Sequence, residues 1–186
     1  YETVFHFAPQ LLCPREAEGL DAGYLRLFLY DGATFSNAPA LPPDVRRLYP
    51  FGSHHLRVAC GHRMHYLDEG TGRPLLMLHG NPTWSFLWRD VIRALRDDFR
   101  CIALDYPGFG LSAPKPGYRY LPEEHADVVT EFVDALGLDG VTLVGQDWGG
   151  LVGLRVAAEN PDRFARIVVA NTGLPTGDRA PTDAFL

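Results

Sequence analysis

From residue 55 onward the apolar positions fall into short unbroken runs, and stripes of helical spacing lie between them. Residues 56–59 and 64–67 read as two strands around a turn at Cys60-Gly61, an antiparallel lead-in closed by a second turn at residues 69–72. Residues 75–78, Leu-Leu-Met-Leu, carry no polar interruption, which is the pattern of a strand covered on both faces; the run breaks at His79-Gly80. Beyond it Leu87, Trp88, Val91, Ile92 and Leu95 share one helical stripe, with Arg89, Asp90, Arg93 and Arg96 elsewhere around the wheel. A second buried strand is predicted over 101–104, ending at Asp105. A helix follows over 123–136, with Ala126, Val129, Val133 and Leu136 on its apolar stripe. Then come a strand over 141–144, a helix over 151–158 and a strand over 167–170. Buried strands alternating with helices, through connections long enough for crossovers, predict an α/β fold: a mostly parallel sheet with helices on its faces. Ligands of such sheets sit at the carboxyl ends of the strands.

Residues 1–50 have a different texture. Aromatics (Tyr1, Phe5, Phe7, Tyr24, Phe28, Tyr30, Phe35) mix with loop formers such as Asp31-Gly32 and the prolines of 39–43, without any sustained period. We therefore divide the chain into an N-terminal extension of unclear structure, 1–47, and an incomplete core domain, 48–186. With 186 residues, 46% hydrophobic and 22% charged, the composition is that of an ordinary soluble globular chain. At this size roughly 70% of the unfolded surface is buried, so no cofactor is expected to hold the fold together. A net charge of −6 with scattered arginines speaks against nucleic acid as a partner. Neither a membrane-length apolar run nor a signal-peptide pattern is present, so we expect no membrane partner and a cytoplasmic location. Cys13, Cys60 and Cys101 are odd in number and lack C-x-x-C spacing, so they read as reduced structural thiols rather than a disulfide framework or a metal site. Because the sequence opens at Tyr1 and its last residues end no element, we expect both ends to be cut.

The chemistry concentrates at Val144-Gly145-Gln146-Asp147-Trp148-Gly149-Gly150, between a predicted strand and a predicted helix. Glycines two before and two after Asp147 fit a nucleophile elbow, a turn so tight that those positions must be small, with Asp147 at its apex. A carboxylate is ionised at pH 7 and attacks without a base, and attack on saturated carbon gives an alkyl ester on the enzyme. Hydrolysing that ester needs a histidine base and N–H donors for the oxyanion, one of which the helix start at Trp148 would supply.

A second motif, His79-Gly80-Asn81-Pro82-Thr83-Trp84, follows the run at 75–78. With residues 65–70 (His-Tyr-Leu-Asp-Glu-Gly), 105–112 (Asp-Tyr-Pro-Gly-Phe-Gly-Leu-Ser) and 146–150, it closely resembles the haloalkane dehalogenases of the α/β-hydrolase superfamily, from about Leu48 onward. The resemblance implies that Asp147 displaces halide from carbon and that the backbone N–H groups of Asn81 and Trp148 form the oxyanion hole. It further implies that the Trp148 indole and the Asn81 amide hold the departing halide. The implied partners are a small halogenated aliphatic substrate, water and the halide ion, with neither cofactor nor metal. Halide leaves without a proton, so N–H donors in a dry pocket suffice. His79 and Asp105 are expected to fix their own loops, Gly108 and Gly110 to bend one, Asp68, Glu69, Glu123 and Glu124 to sit in turns or on solvated faces, and Trp84 and Trp88 to pack.

Departures from the family qualify the reading. The family's base follows its eighth strand and its helical cap follows the sixth. All seven histidines of this chain precede Asp147, and none lies at the base position. Residues 170–173, Ala-Asn-Thr-Gly, offer no carboxylate where one subgroup has its triad acid. By the resemblance, we therefore expect neither the base nor the triad acid in this chain. β-Lactone decarboxylases of olefin biosynthesis share residues 41–51 and the Asn81 and Trp148 motifs, and are the alternative reaction; epoxide hydrolases, which need a proton donor for an alkoxide, come third. A catalytically incompetent hydrolase-fold piece is the reading of another class.

Overall fold

A computed structural model describes residues 41–173. The expectation for residues 1–47 therefore falls almost wholly outside the described residues, as do Cys13 and Asp178. A short helix α1 (Pro43–Leu48) leads into β1 (His54–Arg57) and β2 (Arg63–Glu69), the antiparallel pair expected around Cys60-Gly61. The parallel part consists of β3 (Arg73–Leu78), β4 (Phe99–Leu104), β5 (Val141–Gln146) and β6 (Phe164–Ala170). Between them lie α2 (Arg89–Leu95), α3 (Pro122–Ala135) and α4 (Trp148–Glu159). The sheet runs β1-β2-β4-β3-β5-β6, with β2 antiparallel to β4 and every later pairing parallel.

The apolar run of β3 is explained by its place inside the sheet, where successive side chains point to opposite faces and both faces are covered. Leu76 and Leu78 join Val129 and Phe132 of α3 and Val152 and Val156 of α4 in one cluster. Leu75 and Met77 join Trp84, Trp88, Ile92 and Tyr49 in the other, against which Leu41 and Val45 also pack. Trp84 and Trp88 are thus packing residues, as expected. Cys101 is buried in β4 and Cys60 lies in the turn between β1 and β2; both thiols are free. No helix among the described residues is long and apolar enough to cross a membrane.

β1, β3 and β4 each begin two residues before the start the sequence pattern gives, and three further starts differ for identifiable reasons. The stripe at 87–95 is entered through a 3-10 turn, Ser85–Trp88, anchored where the Ser85 N–H donates to Oδ1 of Asp105 at 2.7 Å. β6 starts at Phe164, which pairs with Val141; the register then skips Ala165 and resumes with Arg166 opposite Thr142, so the polar Arg166 breaks the apolar run but not the strand. α4 begins at Trp148 rather than 151, through Gly149 and Gly150, which are poor helix formers. Space dictates them: a Cβ on Gly149 would run into the Leu78 carbonyl, and one on Gly150 into the Thr172 side chain.

Candidate active site

β3 and β5 are neighbours, with Leu78 opposite Gly145, so the segments leaving their carboxyl ends meet. Asp147 stands between β5 and α4 at φ 55°, ψ −125°, a conformation that costs a non-glycine residue of order 1–3 kcal/mol and persists only when the surroundings hold it. Several contacts do so. The Asp147 N–H donates to the Ala170 carbonyl at 3.3 Å, and the Asp147 carbonyl accepts from the Thr172 hydroxyl at 2.7 Å and the Gly150 N–H at 3.0 Å. Gly145 must be small because a Cβ there would meet Gly149 O and Gly150 Cα at 2.8 Å.

The half-buried Asp147 side chain turns towards the segment after β3. Its Oδ1 accepts the Asn81 backbone N–H at 2.9 Å, and its Cβ and Oδ1 lie where a Cβ on Gly80 would be. The first turn of α4, starting at Trp148, brings the positive end of the helix dipole to the same carboxylate. Asn81 and Trp148, with Tyr106, Phe109, His125 and Val152, also line a cavity of about 70 Å³ whose exposed surface is mainly apolar. The residues singled out at the two strand ends, Asp147, Asn81 and Trp148, are therefore brought together.

His79 is fully buried between these loops. Its Nδ1 faces the Gly80 carbonyl at 2.8 Å, an acceptor only, and its Nε2 faces the Tyr106 N–H at 3.2 Å, a donor only, so the neutral tautomer is fixed with the proton on Nδ1. Burial holds its pKa below the ordinary value. Both nitrogens are committed, so His79 shapes its loop, as expected. His125 pairs through Nδ1 with the Tyr118 hydroxyl at 2.6 Å, and burial, reinforced by His79, pushes its pKa down to about 3. The Asp105 carboxylate accepts from Ser85 and from Leu111 at 2.9 Å, closing the loop after β4, and Gly108 (φ 85°) and Gly110 (φ 51°) bend that loop.

Thr172 is a site residue that sequence reasoning missed. The pattern offers only a Thr after the last strand, and nothing local ties it to an apex 25 positions earlier. Asp68 departs from the solvated reading: within β2 it takes a bidentate contact from Arg100 of β4, at 2.8 and 2.7 Å.

The sheet and its crossovers have a counterpart in a known fold family. The profile of the alpha/beta hydrolase fold matches residues 73–185. The chain belongs to the α/β-hydrolase fold family. Within that family it is 53% identical over 143 residues to haloalkane dehalogenase 2 of Mycobacterium tuberculosis (strain ATCC 25618 / H37Rv), across 77% of this chain and 49% of that protein. It is 43% identical over 130 residues to cis-3-alkyl-4-alkyloxetan-2-one decarboxylase of Shewanella oneidensis, across 68% of this chain and 40% of the other. Among solved structures, haloalkane dehalogenase DatA of Agrobacterium tumefaciens C58 superposes with a TM-score of 0.60 at 40% identity, over 65% of this chain and 42% of that one. This α/β-hydrolase chain spans about half the length of the curated relatives it matches.

Proposed function

We propose that this chain carries the nucleophile and the halide-binding groups of a haloalkane dehalogenase. The carrying observation is the 2.9 Å hydrogen bond from the Asn81 N–H to Oδ1 of Asp147 at the apex of a nucleophile elbow. One Asp147 oxygen attacks the halogen-bearing carbon of a small haloalkane. The new C–O bond forms as the C–halogen bond breaks, and the halide leaves with the electron pair. A carboxylate and a neutral haloalkane thus give an ester and a halide anion, with no proton moved. The Trp148 indole N–H and the Asn81 side-chain amide receive the halide at the cavity they share. The oxygen held by Asn81 becomes the ester carbonyl. When water attacks that carbonyl, the Asn81 and Trp148 backbone N–H groups lie where the oxyanion charge develops.

Ester hydrolysis also needs a general base. His79 has both nitrogens committed and His125 is held neutral against Tyr118, so neither residue of the cavity is assigned that role. With these groups alone the reaction proceeds to the alkyl ester and stops there. Similarity to the M. tuberculosis and A. tumefaciens dehalogenases supports this reading, and similarity to the S. oneidensis oxetanone decarboxylase supports a β-lactone as the alternative substrate.

Incubation of the folded chain with 1-bromobutane tests it. Intact-mass analysis should show a gain of one butyl group, mapped to the peptide containing Asp147 and lost in Asp147→Asn. Absence of the adduct on protein with a native circular dichroism spectrum counts against Asp147 as nucleophile. Olefin released from a β-lactone, with no alkylation by the bromide, favours the decarboxylase.

A further inference from the structure

At the same edge of the sheet, but two strands from Asp147, a second set of polar side chains is aligned. Asp105 leaves the end of β4, and its Oδ2 lies 2.8 Å from Nδ1 of His65 on β2, both side chains fully buried. His65 Nε2 lies 2.8 Å from Oγ of Ser53, an exposed residue just before β1. An ionised carboxylate only accepts, so the neutral imidazole carries its proton on Nδ1 and presents the Nε2 lone pair to the serine hydroxyl. The order is hydroxyl, imidazole, carboxylate, with both links at hydrogen-bond length, which is the arrangement by which such relays are recognised on unrelated folds.

The backbone fixes the positions. The Asp105 N–H donates to the His65 carbonyl at 2.9 Å, and the His65 N–H donates to the Ser112 hydroxyl at 2.7 Å, which itself donates to the Asp105 carbonyl at 2.7 Å. The Asp105 carboxylate is further pinned by the Ser85 and Leu111 N–H groups. The buried pair thus aims one imidazole lone pair at the surface, and among the described residues the group hydrogen-bonded there is a hydroxyl open to solvent. As a structural tie this contributes little, since a hydrogen bond to an exposed hydroxyl is nearly replaced by one to water.

We propose that Ser53 is a nucleophile activated by His65 and Asp105, and that it accepts the acyl group of small activated esters at a site separate from Asp147. Ser53 Oγ forms a bond to the ester carbonyl carbon while its proton passes to His65 Nε2. The ester's C–O bond then breaks, the leaving oxygen takes the electron pair and that proton, and an acyl-serine and a free alcohol or phenol result. Asp105 orients the imidazole and balances its transient charge.

The test is p-nitrophenyl acetate added to the full chain, with phenolate release followed by absorbance and the acetyl group located by peptide mapping. The expected result is one acetyl group on Ser53, none at that position in Ser53→Ala, and labelling roughly 100-fold slower in His65→Asn, which keeps a donor for Asp105 but no base beside Ser53. Because His65 is buried, a second comparison does not depend on that variant folding: the ordinary exposed serine introduced by Glu159→Ser should acetylate roughly 100-fold more slowly than Ser53 in the same molecule. Equal rates at the two serines, or no acetyl group on Ser53, overturn the proposal.

Discussion

Gly80 decides where the Asp147 carboxylate rests, because the space a Cβ would take there is filled by Asp147 itself. Gly80→Ala leaves the backbone of β3 intact but forces Asp147 off the Asn81 N–H. Overpacking of this kind costs about 1–3 kcal/mol, and the rate of butylation should fall at least tenfold, read by intact mass at fixed bromide concentration. Thr172 acts on the same residue from behind. Thr172→Val keeps the shape and removes the 2.7 Å bond to the Asp147 carbonyl, which should lower stability in urea by about 1 kcal/mol and slow butylation several-fold. An unchanged rate would show that the φ 55° conformation is held without Thr172. What the sequence made legible at this scale is local: Gly145, Asp147 and Gly149 are two apart, and their roles follow from one tight turn. What it hid is distant, such as Thr172 on Asp147, or Asp105, foreseen as a loop closer, also gripping His65 from 40 positions away.

The elements were legible where one period governs them. β3 reads as buried because it is covered on both faces, and the apolar stripe of α3 reads as helical because it packs against the sheet and α4. Boundaries moved where space or pairing overrides propensity, at the glycines opening α4 and at Arg166 in β6. On α3 the burial of His125 has a pH consequence. Its native pKa is about 3 against an ordinary value near 6.5, so between those values the unfolded chain holds a proton that the native chain does not. Stability is therefore complete above about pH 6.5 and falls on acidification towards pH 3, by up to about 1.4 kcal/mol per pH unit from this one group. His79 is shifted the same way by burial. Asp105 adds acid sensitivity by the opposite route: burial pushes its carboxyl up, but its pairing with His65 and the Leu111 N–H outweigh this and hold it below the usual range, so its contribution is lost as pH falls through that lowered value. Urea denaturation at pH 7, 6 and 5 should show a declining midpoint, with His125→Gln declining less steeply by about one proton's worth. Identical slopes would mean that native His125 titrates as it does in the unfolded chain.

At the scale of the whole molecule the two faces of the sheet are unequally covered along its width. β3 and β4 carry buried runs, whereas on β6 Ile167, Val168 and Val169 keep 48%, 51% and 47% of their surface exposed. Successive strand residues point to opposite faces, so among the described residues both faces of β6 are about half open, and nothing pairs with its outer edge. An apolar edge strand is a template for another chain, and a charge placed on it blocks that pairing. The 186-residue chain is accordingly expected to self-associate, with weight-average mass in sedimentation equilibrium rising with concentration across the micromolar range. Val168→Lys, on the residue paired with Val144, should shift that distribution towards monomer without lowering the thermal midpoint, because the lysine at this edge stays in water. A wild-type chain that stays monomeric at every concentration and binds no hydrophobic dye would mean that β6 is already covered, and that its half-open faces are not the surface solvent meets.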